Sequence, residues 1–230
     1  GHTDEARLAR DLASLLGIIA DAGARAVLRL GPWPTPDVAS LGVPDAILND
    51  AAARSHTRRR NPRWVGDGMR VVPLPSVRSD VYRAAAGAWV RAAVTAARSA
   101  SAPDVIARVI VGHGAPSPLH DAPDDLDAVG LDPAAVDPSV AEAEATRDFL
   151  LHLAAEALAA DAPAADLRLA IQGDPLASAA AALLSSQHGL AWSSLPPRAG
   201  VRAIWRGARL ATTLAHGHHL DLRAGHAPFE

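Results

Sequence analysis

Apolar side chains at Leu8, Leu12, Leu15, Leu16, Ile19 and Ala20 recur at helical spacing, and Gly23 closes the run, so the pattern predicts a helix over 8–23. The continuous apolar stretch from Ala26 to Leu30 then reads as a buried strand, broken only by Arg29 and ended by the rigid Gly31-Pro32-Trp33 turn. Residues 49–81 are rich in Arg, Pro and Gly and carry no period, which predicts a functional loop or an insertion. A helix over 81–99 follows, then a second buried strand over 105–111 that ends at Gly112-His113-Gly114. Residues 115–138 form another long loop. A helix over 139–160 follows, with Ser139 as its N-cap and Ala162-Pro163 as its stop.

The same rhythm continues to the end of the chain. A strand over 167–172 runs into Gly173-Asp174-Pro175, an Ala-rich helix over 176–188 is closed by Gly189, and 190–195 reads as the next strand. A helix over 201–214 and a short strand over 219–222 complete the series. Repeated strand and helix units without hairpin signals predict an α/β fold on a parallel sheet, open or closed into a barrel. Chemistry in such folds collects at the carboxyl ends of the strands, which makes Arg29, Trp33 and Asp37 first candidates for substrate contact. Arg29 also reads as a paired core arginine and Trp33 as a packing aromatic.

Composition narrows the classes. With 230 residues and 49% hydrophobic content the chain supports a substantial core, read as one domain over 1–230. All 22 basic residues are arginine, and the abundance of Ala, Gly, Pro and Arg matches the codon usage of a high-GC bacterial genome. A net charge of −3 argues against a nucleic-acid partner, and Arg58-Arg59-Arg60 reads as a solvated loop. The lack of cysteine removes any disulfide framework, and no stretch approaches a membrane span. The compartment stays open. The start at Gly1-His2 and the end at Pro228-Phe229-Glu230 are read as cuts in a longer protein.

The run Arg29-Leu30-Gly31-Pro32-Trp33, with Asp37 and then Gly42-Val43-Pro44-Asp45-Ala46-Ile47-Leu48, resembles the segment after the third barrel strand of glycoside hydrolase family 35, the β-galactosidase-type enzymes. The family pattern there is Arg-Pro-Gly-Pro-Tyr, then Ala-Glu-Trp, then Gly-Gly-Leu-Pro-Ala-Trp-Leu-Leu. This chain departs from it with Leu30 for the first proline, Asp37 for the glutamate and Val38 for the tryptophan. A second echo, Arg78-Ser79-Asp80-Val81-Tyr82-Arg83, is similar to the Arg-Thr-Ser-Asp-Pro-x-Tyr segment that opens the next barrel helix. The resemblance covers 8–111 and implies a partial (β/α) barrel of the TIM type, a fragment lacking the first strands. It also implies retaining cleavage of terminal β-galactosyl residues, a carbohydrate partner and no cofactor.

Glycoside hydrolysis needs two carboxyl groups flanking the scissile bond. The family's Asn-Glu acid/base pair falls on Gly112 and His113 here, with Asp121, Asp124 and Asp125 the nearest acids. His113 is therefore the candidate proton donor, or a loop histidine between glycines. Glu230 is the candidate nucleophile, with Asp221 the other acid in register. Gln172 and Asp174 are candidate sugar ligands, and Asp174 alternatively caps the following helix. A non-catalytic carbohydrate-binding or structural descendant is the second reading. A zinc hydrolase built on His216, His218 and His219 with Asp221 and His226 is the third, set against histidines that interact with a helix C-terminus.

Overall fold

The computed structural model describes residues 5–32, 43–56, 62–65, 68–71, 75–100, 103–112, 125–163, 167–171 and 192–194. Helix α1 spans Glu5–Asp21 and leads into strand β1, Ala26–Leu30. Gly23 stops the helix in the left-handed region at φ 66°, with Gly23 N donating to Ala20 O and Ala24 N to Ile19 O. That pair of bonds satisfies two orphan carbonyls of the last turn. The short helix α2, Asp45–Leu48, and a 3-10 turn over Ala51–Ala53 follow.

Strands β2, Pro62–Val65, and β3, Gly68–Val71, pair antiparallel as a separate two-stranded sheet. This corrects the reading of 49–81 as irregular and of the chain as free of hairpins. The two residues between the strands, Gly66 and Asp67, are the sequence signal for that pairing.

Helix α3 spans Asp80–Arg98, β4 Ile106–Gly112, α4 Pro138–Ala159, β5 Leu167–Ile171 and β6 Trp192–Ser194. Helix α4 opens with Pro138, whose missing N–H costs nothing in a first turn, and Ala141 N donates to Asp137 O. Ser139 therefore lies inside the helix, and the N-cap place belongs to Asp137. The helix ends at Asp161 with φ 64°, where Asp161 N donates to Leu158 O and Ala162 N to Ala157 O.

The main sheet has the order β1-β4-β5-β6, and every pairing in it is parallel. Its order follows the chain without reversal among the described strands. Leu28 is in register with Val109, Leu30 with Val111, and Val109 with Leu167. These residues share a core with Val90 and Val94 of α3 and with Phe149, Leu150 and Leu153 of α4. Helix α1 joins the same side through Leu16, which packs with Ala97 and Ala100 beside Leu28 and Ile106. Three helices thus cover one sheet face.

Helices α3 and α4 start together and run side by side. Arg78 donates from Nη2 to Ala141 O at 2.8 Å, Arg83 to Asp148 O at 3.3 Å, and Arg91 Nε to Glu156 Oε2 at 2.7 Å. Gly87 allows the close crossing: a Cβ there would lie 2.6 Å from His152 Nε2 and 2.9 Å from Glu156 Cγ.

Candidate functional site

Because β1, β4, β5 and β6 are parallel neighbours, Leu30, Gly112, Ile171 and Ser194 end them at one edge of the sheet. The pattern of register supports that edge directly, with Leu30 opposite Val111, Gly112 opposite Ala170, and Ile171 opposite Ser194. The connections leaving β1 and β4 also meet. Asp125 N, in the connection after β4, donates to His56 O, in the connection after β1, at 2.9 Å.

The loop after β1 is held by a local scaffold. Ser79 caps α3 by accepting from Tyr82 N at 3.2 Å, and its hydroxyl donates to Ala52 O at 2.6 Å. Ser76 N donates to Ala53 O at 2.9 Å, and the Arg54 guanidinium donates to the carbonyls of Leu48 and Asn49. The Tyr82 hydroxyl donates to Pro32 O, which ties the start of α3 to the residue before Trp33. Its ring is buried and stacks on Phe149, with centroids 5.4 Å apart and planes inclined by 14°. Burial of the phenol pushes its pKa well above the ordinary value.

Tyr82 and Ser79 are thus positioning residues for the β1 strand end, a role that the apolar pattern did not single out. The available signal was a serine three places before the sole tyrosine at a helix start.

Gly112 adopts φ 115°, a conformation that side-chain-bearing residues rarely take. The last residue of β4 is therefore glycine for backbone reasons, and position 112 brings no functional group to the strand end. Arg29 lies in β1, one residue before its carboxyl end, and is exposed rather than buried as a paired core arginine. Its alternation with the buried Leu30 sets it on the sheet face opposite the helices.

That second face has a particular composition. Arg29 is in register with Ile110, Ile110 with Arg168, and Val27 with Arg108. Arg108 is exposed, Val27 is 49% exposed and Ile110 only 7%. Strands β1, β4, β5 and β6 contain three arginines and no acidic residue.

Trp33, Asp37, His113, Gln172, Asp174 and Glu230 lie outside the described residues, as do Asp121 and Asp124. The cluster His216, His218 and His219, with Asp221 and His226, lies outside them too. Among the described residues no group of three His, Asp or Glu side chains could hold a metal ion, and no helix is long and apolar enough to cross a membrane. Comparison with protein-family models, with curated proteins and with solved structures finds no match to the chain.

Proposed function

We propose that the chain is a glycoside hydrolase-like protein, built on part of a (β/α) barrel of the TIM type, with a carbohydrate site at the carboxyl edge of its parallel sheet. The observation that carries this reading is the meeting of the connections after β1 and β4 at the His56 and Asp125 backbone bond, on the edge where strand ends also deliver β5. A shared edge is where parallel α/β folds place their ligands. The likeness of residues 29–48 to the family 35 segment supports a sugar as that ligand, with Arg29, Trp33, Asp37, Gln172 and Asp174 as its candidate contacts.

Two carboxyl groups are needed for cleavage. In the catalytic form of this proposal His113 handles the proton and Glu230 supplies the carboxylate that attacks the anomeric carbon. The glycine conformation at position 112 favours a second form, a descendant that binds sugar without cleaving it. Turnover of a chromogenic β-galactoside, lost in His113→Ala, supports the enzyme. Saturable binding of galactose by calorimetry without turnover supports the binder. A chain that neither cleaves the galactoside nor binds any saccharide overturns the proposal.

A further inference from the structure

The second face of the sheet joins three residues that are far apart in the sequence. Arg29 and Arg168 flank Ile110 in one register row, and Arg108 stands one alternation further back on β4, opposite Val27. With neighbouring strands about 4.8 Å apart and alternate residues about 6.6 Å apart, the three Cα positions form a triangle with sides of about 8 to 10 Å. An arginine side chain spans much of that distance, so the guanidinium groups of Arg29 and Arg108 can reach a common anion.

Neutral hydroxyls do not need such a concentration of charge. Planar guanidinium forks match carboxylate and phosphate oxygens, each fork giving two parallel hydrogen bonds. The strands of this sheet offer no carboxylate of their own to these cations. The row sits just below the carboxyl edge, with Arg29 one residue from the end of β1. It therefore lies beside the edge at which the carbohydrate site is proposed.

We infer that the saccharide taken by this site is anionic, a sugar bearing a carboxylate or a phosphate, held by Arg29 and Arg108. The inference rests on the carbohydrate reading and adds the class of sugar. The test is calorimetric titration of the whole chain with galactose, galacturonate, galactose 6-phosphate and inorganic phosphate, repeated on Arg29→Gln, Arg108→Gln and the conservative Arg29→Lys.

Galacturonate or galactose 6-phosphate should bind about tenfold or more tightly than galactose, the better of the two naming the charged group. The preference should shrink toward parity in the two glutamine variants, partly survive in Arg29→Lys, and weaken as salt is raised. Circular dichroism and thermal melting establish that the variants are folded, and both arginines are exposed. Galactose binding as tightly as either anion would overturn the inference while leaving the carbohydrate reading standing, since the guanidiniums would then be neutralised within the chain. Equal affinity for inorganic phosphate and galactose 6-phosphate would also overturn it, because the sugar would contribute nothing. Failure of every saccharide to bind would overturn both.

Discussion

At the scale of single residues, two mid-helix glycines have opposite expected effects. Gly17 in α1 has open space where a Cβ would stand, so Gly17→Ala should stabilise the fold by about 0.5–1 kcal/mol by restricting the unfolded chain and favouring the helix. Gly87 sits under His152, whose Nε2 donates to Arg83 O at 2.9 Å, so a methyl group must displace a bonded ring. Gly87→Ala should cost about 1–3 kcal/mol in urea denaturation, and much of that cost should vanish in the Gly87→Ala, His152→Ala pair. Additivity of the two substitutions would contradict the steric account. Tyr82 provides a separate test. Tyr82→Phe leaves Pro32 O without this donor and should cost about 1–3 kcal/mol. The raised pKa sets the sign of its pH dependence: the buried phenol keeps its proton when the unfolded one loses it near 10.0. The native state then binds more protons, so stability is intact below pH 10 and falls by about 1.4 kcal/mol per pH unit above it. That alkaline slope should be shallower in Tyr82→Phe, and the absorbance of the only tyrosine should titrate with unfolding.

At the scale of elements, the start of α3 couples helix formation to the loop after β1. The Ser79 hydroxyl both accepts from Tyr82 N and donates to Ala52 O, so two substitutions can divide its roles. Ser79→Ala removes both bonds and should cost about 1–2 kcal/mol. Ser79→Asp keeps the acceptor and the favourable charge at a helix N-terminus while removing the donor, so it should recover about half of that loss. Equal midpoints for the two variants in thermal melts would show that the cap contributes nothing. The pair Arg91 and Glu156, by contrast, joins an exposed guanidinium to a better-covered carboxylate at the outer side of the α3 and α4 crossing. Solvent screening keeps such a bridge small. The crossing itself depends on the apolar layer of Val90, Val94, Phe149, Leu150 and Leu153.

At the scale of the whole molecule, β4, like β5, has a parallel neighbour on each side, and α3 and α4 pack against one of its faces. Its amides at Val109, Ile110 and Val111 should be the slowest to exchange with deuterium, and those of β1, the outermost of the described strands, should exchange faster. Faster exchange in β4 than in β1 would mean that the described sheet is not the stable unit of the fold. The one-directional strand order also makes a clear functional statement. Each strand end lies beside the next along one edge, so a single ligand can be reached from several connections that are distant in sequence.

Most of this architecture was legible in the order of apolar runs. The spacing of Leu8, Leu12 and Leu16, the stop at Gly23, and the strands around Ala26, Ile106, Leu167 and Trp192 follow from local propensity and period, which depend only on near neighbours. The hairpin at Pro62 and Gly68 escaped because its strands are short, and the N-cap was set at Ser139, two residues past Asp137, because Pro138 can open a helix. Of the candidate site, only Arg29 falls among the described residues, and Arg108 and Arg168 were not singled out within the apolar runs that hold them. Local patterning determined which segments become helices and strands; only tertiary pairing decided the register that sets Arg29, Ile110 and Arg168 in one row and brings His56 to Asp125. The physical reason is that parallel strands pair through connections tens of residues long, so their alignment is chosen by the helices buried between them and not by any adjacent residues.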